Sequence, residues 1–506
     1  MPRTKLDEST IPFASIPELN AALQKHQISS SELTKFFSRR LEKLGPQYNA
    51  LACSLAKYGR NAAKDADSDL KRERFRSPLQ GIPYAAKDLL AVAKYPTTWG
   101  AKPFADQVFD YDATVIAKLA ATQAVLIGKL AMVELAGGGG YSSASASLQG
   151  PGQNPWNKSY WSGGSSSGSG IAVAAGLVPY ALGSETSGSI LTPACYCGVT
   201  GLRPTYGLVS RHGAMPLSWT LDKVGVLARS AEDCGLVLHQ IAGRDDNDPG
   251  SAHKSFYYAP QYYRKLSDLK IGYAEIDFSD WCAEPLRPAF ANALSVVKSL
   301  GAQMVETKLP DFPYGTIIGA IIDSEAASVF EQFIKNGRVD QLADQSQIDG
   351  LKASLTYSAL DYLKAMRVRS QIQSAFRQLF TTVDFLIAPT HFDPPDRSDQ
   401  PFDETPPKRP DQKGIGASLT QASNLCGFPA ITIPCGFANG LPVGLQIVGP
   451  VFEENRILGL AREFQNRTNF HKQHPPDLIQ AAIPINPNAP RNTGATPAFL
   501  RSGTTV

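Results

Sequence analysis

Apolar residues recur in two different registers along this chain. Between Ser29 and Gly45 they fall at three- and four-residue steps, at Leu33, Phe36, Phe37, Leu41 and Leu44. That period predicts a helix with one buried stripe. Ser15 with Glu18, and Ser29 with Glu32, stand at capping-box spacing, and Gly45 supplies a stop. From about Gly81 short apolar runs such as Gln123–Ile127 alternate with helical patterns such as Ala113–Ala121. Such alternation predicts an α/β layered fold.

The stretch from Leu135 to Gly183 is crowded with Gly, Ser and Ala. A flexible linker is the first reading of such composition. Against it, Ile171–Gly176 and Leu177–Leu182 are apolar and bounded like a buried helix followed by a strand. Residues 353–380 form a long helical pattern, with Leu363, Ile372, Phe376 and Leu379 assigned to one face, leading into a strand at Val383–Ala388. Residues 391–413 are rich in Pro and Asp and read as loop. A final strand–strand–helix unit covers Ala430–Pro434, Pro442–Val448 and Asn455–Phe464. The expected division is a helical segment 1–65 packed on the core, a main domain 66–470 and a Pro-rich tail 471–506.

At 506 residues the chain can bury a large core without disulfide or metal staples. Its 49 basic and 46 acidic residues leave a net charge of +3. That balance gives no electrostatic reason to expect nucleic acid or a membrane surface. The first residues lack the apolar core of a secretory signal, and no apolar run is long enough to span a bilayer. The seven cysteines include no Cys-x-x-Cys pair and read as reduced, buried thiols, so a cytoplasmic location is expected. No ligand cluster and no phosphate-cradling loop is present, so neither metal nor nucleotide cofactor is expected.

Three runs could carry chemistry: Ile82–Asp88, Gly163–Gly170 and Gly183–Ser189. The two Gly/Ser-dense runs offer hydroxyls and free backbone N–H groups, which in a concave turn hold an oxyanion. A serine needs a base, and none of the seven histidines lies near these runs. Lys87 ends an otherwise uncharged strand-like run. Buried there it would lose hydration, its pKa would fall, and a neutral amine could serve as base. The competing reading is a surface pair of Lys87 with Asp88. Gly164–Gly168 also matches the G-x-S-x-G elbow of α/β-hydrolases, but in so Gly/Ser-rich a stretch the match carries little weight.

These runs, in this order and with Ser165 and Ser189 spaced 24 residues apart, resemble the amidase signature family. Asn154-Pro155-Trp156, Cys197–Thr205, Leu221-Asp222, Ala388-Pro389-Thr390 and the block from Gly427 to Gln446 carry the resemblance further, over about residues 15–470. It implies an α/β fold with a large mixed central β-sheet covered by helices on both faces. It also implies a Ser–cis-Ser–Lys triad, with Ser189 as nucleophile, Ser165 as bridging cis-serine and Lys87 as base. The oxyanion hole falls to the backbone N–H groups of Thr186, Ser187, Gly188 and Ser189.

Departures from the family pattern cluster where relatives shape their substrate pockets. Glu185 stands where Asp is common. Leu191, two residues after the nucleophile, stands where Arg is frequent. Gly137–Gly140 with Tyr141 form an unusually glycine-rich loop. Gly138, Gly139, Gly140, Tyr141 and Leu191 are therefore the candidate pocket, expected to be roomy and apolar. The expected activity is hydrolysis of neutral, apolar or aromatic amides, with carbamates (urethanes) and esters as further substrates. The alternative is the glutaminase (A) subunit of a tRNA-dependent amidotransferase, and a catalytically dead binding protein is disfavoured by the complete triad. The expected partners are a small-molecule substrate, no nucleic acid and no membrane, with the protein a monomer or homodimer.

Overall fold

The computed structural model describes residues 9–260, 265–402, 409–411 and 414–478. Most of the Pro-rich tail therefore lies outside the described residues. In chain order the strands are β1 (Leu51–Ser54), β2 (Pro83–Lys87), β3 (Val125–Leu130), β4 (Gln153–Asn154), β5 (Asn157–Trp161), β6 (Tyr180–Glu185) and β7 (Thr200–Arg203). There follow β8 (Lys223–Ala228), β9 (Lys270–Tyr273), β10 (Gln303–Glu306), β11 (Phe385–Pro389), β12 (Ala430–Ala438) and β13 (Leu441–Val448). Eleven of them form one sheet, ordered β1-β3-β2-β6-β8-β7-β12-β13-β11-β9-β10, while β4 and β5 pair separately. The sheet is mixed: β2 runs parallel to β3 and β6, and β8 runs antiparallel to β6 and β7. Helices flank it, as expected.

The strands beside the site are buried along their whole length, which is why they read as apolar runs rather than alternating ones. The parallel register Ala85↔Ala181 and Ala86↔Leu182 matters most for the site. It brings the C-terminal ends of β2 and β6 to the same edge, so Lys87 and Ser184 become neighbours although 97 residues separate them.

Both N-terminal capping boxes form, at the helices Ile16–Gln24 and Ser30–Leu44. Gly45 does not act as a left-handed stop. It continues into a short 3-10 turn, and the reversal falls on Asn49 at φ 54°. A side chain at Gly45 would press on Leu51 Cβ at 3.0 Å, so close packing is its role. The pattern over 353–380 resolves into two helices, Gln345–Ser354 and Ala359–Leu379. Ile372 and Phe376 are buried, but Leu363 is 59% exposed. Nine residues at about 100° each turn the helix by roughly two and a half revolutions, which sets Leu363 opposite Ile372.

Candidate functional site

Lys87 is fully buried at the end of β2, and Asp88 beside it is buried as well. The surface-pair reading of the two is thereby excluded. Asp88 turns to the other side, where it pairs with Lys129 Nζ at 2.8 Å and accepts from Thr98. Among the described residues Lys87 is left without a carboxylate partner. Its Nζ lies 2.8 Å from Ser165 Oγ and 2.9 Å from Ser184 Oγ. Desolvation pulls its pKa down to about 7, against the weaker upward pull of Asp222 and Glu185.

The Gly/Ser run before the helix Ser167–Ala174 is stitched to β6 rather than loose. Ser166 Oγ donates to Ser184 O at 3.1 Å, and Ser169 Oγ donates to Leu182 O at 3.0 Å. The peptide bond Gly164–Ser165 is cis. Ser165 is buried, and its carbonyl accepts from Val133 N–H at 3.1 Å. Ser166 N–H donates to the carbonyl of Ser189 at 3.2 Å, which ties the two serine segments together.

The turn Thr186–Ser189 is clamped at both ends by carboxylates. Upstream, Thr186 Oγ1 donates to Asp222 at 2.6 Å. Downstream, Glu185 Oε2 accepts from the N–H groups of Ile190 (2.9 Å) and Leu191 (3.1 Å), at the start of the helix Leu191–Cys197. The other oxygen of Glu185 pairs with Arg203 at 2.6 Å and accepts from Asn424 at 3.0 Å. Burial alone would raise the Glu185 pKa, but Arg203 and these hydrogen bonds outweigh it and hold the carboxyl at about 2. Gly188 adopts φ +93°, a conformation that side chains resist, and it lets the turn close. Among the described residues no acceptor takes the N–H of Ser187, Gly188 or Ser189, so these donors remain for an oxyanion.

A cleft of about 1140 Å³ opens along this turn. It is lined by Ser187, Gly188, Leu191 and Thr192 together with His391, Phe392, Asp393 and Arg409. A second cavity of about 450 Å³ reaches Ser184, Thr186 and Asp222. The glycine loop is not the open space that its composition suggested. Gly139 packs backbone to backbone on the helix Gln345–Ser354, where a Cβ on Gly350 would lie 1.8 Å from Gly139 O. Gln347 Nε2 donates to Gly138 O at 2.9 Å, and a Cβ on Gly138 would strike Leu217 at 2.7 Å. Within this loop only Gly140 has nothing within 4 Å of such a Cβ among the described residues. Tyr141 packs edge-on against Trp161 and Phe402, at centroid distances of 6.0 and 5.9 Å.

Sequence reasoning missed Ser184 as a partner of Lys87, and it missed His391 as a cleft residue. Ser184 stands inside a run already singled out, but only strand register shows which serine meets the lysine. His391 lay in a segment read as plain loop.

A buried lysine, a cis-serine and a donor-lined turn at the C-terminal ends of two central strands of a mixed sheet are the arrangement expected of the amidase signature class. The family model named Amidase matches residues 32–458, and the chain belongs to that family. The A subunit of the glutamyl-tRNA(Gln) amidotransferase of Halorhodospira halophila is 35% identical over 489 residues, covering 91% of this chain and 98% of the relative. Among solved structures, the peptide amidase of Stenotrophomonas maltophilia is 28% identical, with TM-score 0.77 and coverage of 92% and 98%. A protein from a vestigial complex that reveals the origins of an s-triazine catabolic enzyme is 29% identical, with TM-score 0.81 and coverage of 90% and 98%.

These relatives correct one expectation. A relative matched over almost its full length is by name one subunit of an amidotransferase for glutamyl-tRNA. The expectation of a small-molecule substrate alone, with no nucleic acid and at most a homodimer, does not stand. Net charge was no guide here because it reports only the average field over the surface. Among the described residues no helix is long and apolar enough to cross a membrane.

Proposed function

We propose that this chain cleaves carboxamide C–N bonds through an acyl-enzyme on Ser189, with Ser165 and Lys87 as its proton relay. The observation that carries this reading is the Lys87 amine, buried, without a carboxylate partner and 2.8 Å from Ser165 Oγ. Neutral Lys87 takes the proton of Ser165, which takes that of Ser189. Ser189 attacks the carbonyl, and the N–H groups of Thr186, Ser187, Gly188 and Ser189 hold the oxyanion. The tetrahedral species collapses as Ser165 returns a proton to the departing nitrogen. Water then attacks the acyl-enzyme by the same relay, releasing the acid.

Two amide donors fit this chemistry. The relatives named as the A subunit of a glutamyl-tRNA(Gln) amidotransferase favour a glutamine-type donor, with the nitrogen passed on inside an assembly. This reading has the wider support from sequence likeness. The cleft beside Ser187 favours the other, a neutral and aromatic amide or carbamate. There Arg409 is already engaged by Asp393, and His391 is neutral. A substrate carboxylate would lose hydration without gaining a fresh partner.

The deciding experiment compares kcat/KM on glutamine with that on a neutral anilide and an aryl carbamate, with and without glutamyl-tRNA and co-purified partner chains. Higher efficiency on glutamine, raised by those additions, establishes the amidotransferase reading. Higher efficiency on the anilide or carbamate, indifferent to them, establishes the stand-alone hydrolase. No turnover of any carboxamide would sink both.

A further inference from the structure

His391 follows β11 and reaches the cleft wall that carries the nucleophile turn. Its Nε2 lies 2.9 Å from Thr192 Oγ1. Thr192 N–H in turn donates to the carbonyl of Gly188 at 2.8 Å, so the imidazole is tied through one residue to the turn itself. The ring also lies on Tyr196, with centroids 4.6 Å apart and planes inclined by 35°. A side chain fixed by both a hydrogen bond and a ring contact loses little freedom when a ligand arrives.

The imidazole is only partly exposed, and desolvation brings its pKa down to about 4. It is therefore uncharged at neutral pH. With Nε2 engaged by Thr192, Nδ1 remains as one neutral hydrogen-bonding site. It donates if Nε2 accepts from the threonine hydroxyl, and accepts if Nε2 donates. The charged groups of the same cleft are Arg409, Asp393, Asp396 and Asp411. Arg409 is bound to Asp393 and lies against the paired rings of Trp281 and Phe392, with its guanidinium 4.6 and 5.4 Å from their centroids. Polar recognition beside Thr192 thus falls to an uncharged ring nitrogen set among aromatic surfaces.

We propose that His391 is a specificity-determining residue, which hydrogen-bonds an uncharged polar group on the ring of an aromatic amide held in this cleft and so selects such substrates over unsubstituted ones. This rests on the neutral-amide reading above. A site built around a hydrogen bond rejects an analogue that lacks the matching group, because a desolvated partner is then left unmet.

The test uses the full chain and two anilides of equal size, 4-(hydroxymethyl)acetanilide and 4-ethylacetanilide. The hydroxyl can donate or accept, so either tautomer of His391 is served. Wild type should favour the hydroxymethyl substrate by about tenfold in kcat/KM, through KM, as one neutral hydrogen bond warrants. His391→Phe keeps the ring on Tyr196 and should erase that ratio, while His391→Gln should restore part of it. Should His391→Phe fail to fold, Thr192→Val, which releases the imidazole, should shrink the same ratio. A ratio unchanged in His391→Phe, or in Thr192→Val in its place, overturns the inference while leaving the neutral-amide reading intact. Wild type acting better on glutamine than on either anilide overturns that reading, and this inference with it.

Discussion

Two lysines stand at the C-terminal ends of neighbouring strands, Lys87 last in β2 and Lys129 next to last in β3, and both are fully buried. Lys129 on β3 has Asp88 at 2.8 Å, Thr97 Oγ1 at 2.5 Å and the carbonyl of Pro96 at 3.0 Å. Lys87 on β2 has, among the described residues, only two serine hydroxyls. Desolvation lowers the pKa of both, but at Lys129 the carboxylate of Asp88 opposes it. The neighbouring aspartate is thus spent on the other lysine. One ammonium is kept charged as part of the structure, and the other is left as an amine near neutrality that can move a proton. Position in the fold is nearly the same for both, so the difference in chemistry comes from where one carboxylate points.

The largest effect should come from the working side. Ser189→Ala should abolish amide hydrolysis with the fold intact, since it removes a nucleophile and almost no volume. Lys87→Ala and Ser165→Ala should each cost about 10²–10⁴-fold or more in kcat. The double variant should lose little beyond the worse single one, because the two serve one relay. Additive losses, measured in single-turnover acylation, would mean that the two act separately and would break the comparison.

The stability of the two lysines should invert this order. Lys129→Met leaves Asp88 buried without its cation and should cost about 3–5 kcal/mol in denaturant unfolding. Lys87→Met should cost far less or even stabilise, since it exchanges an amine with no carboxylate partner for an apolar chain. Equal losses for the two variants would show that Lys87 is also held as a structural charge.

Protonation separates them again. Lys87 must be neutral to act, so kcat/KM should rise through about pH 7 and hold on the alkaline side. Linkage gives the matching stability effect. Between about 7 and the usual lysine value near 10.4, the unfolded chain binds a proton on this residue that the folded one does not. Stability should therefore rise with pH across that window, and Lys87→Met should remove that slope. A rate that falls as pH climbs past 7 would point to a group acting as an acid instead.

The sequence pointed to the candidate residues of this site more readily than to their geometry. Lys87, Ser165 and Ser189 stand in runs whose composition and order single them out, and the α/β layering follows from apolar runs alternating with helical periods. What pairing decides was invisible. Asp88 adjoins Lys87 in the chain yet serves Lys129, because successive residues leave a strand on opposite sides. The glycine loop looked like empty space, but its missing side chains let a helix approach, and no local pattern names that helix. Glu185 draws on Asn424, 239 residues away, which no spacing could announce.

The smallest expected effect concerns Ser184, the second hydroxyl on Lys87. A neutral amine has a single lone pair and so can accept from only one of its two serine neighbours. If that lone pair is to take the proton of Ser165, an amine hydrogen must point to Ser184, whose oxygen accepts it at 2.9 Å. Ser184 then orients the base without touching substrate. Ser184→Ala should lower kcat about tenfold with KM nearly unchanged, the weight of one hydrogen bond made by a positioning group. The loss of an acceptor also harms the ammonium more than the amine, since the ammonium donates to both hydroxyls. The alkaline-rising limb of the pH profile should therefore move to lower pH in Ser184→Ala. Ser184→Thr keeps the hydroxyl and should recover both the rate and the profile. A slower Ser184→Ala enzyme whose pH profile stays in place would mean that the serine only fills space at the end of β6, and that the contrast between the two lysines ends with Asp88.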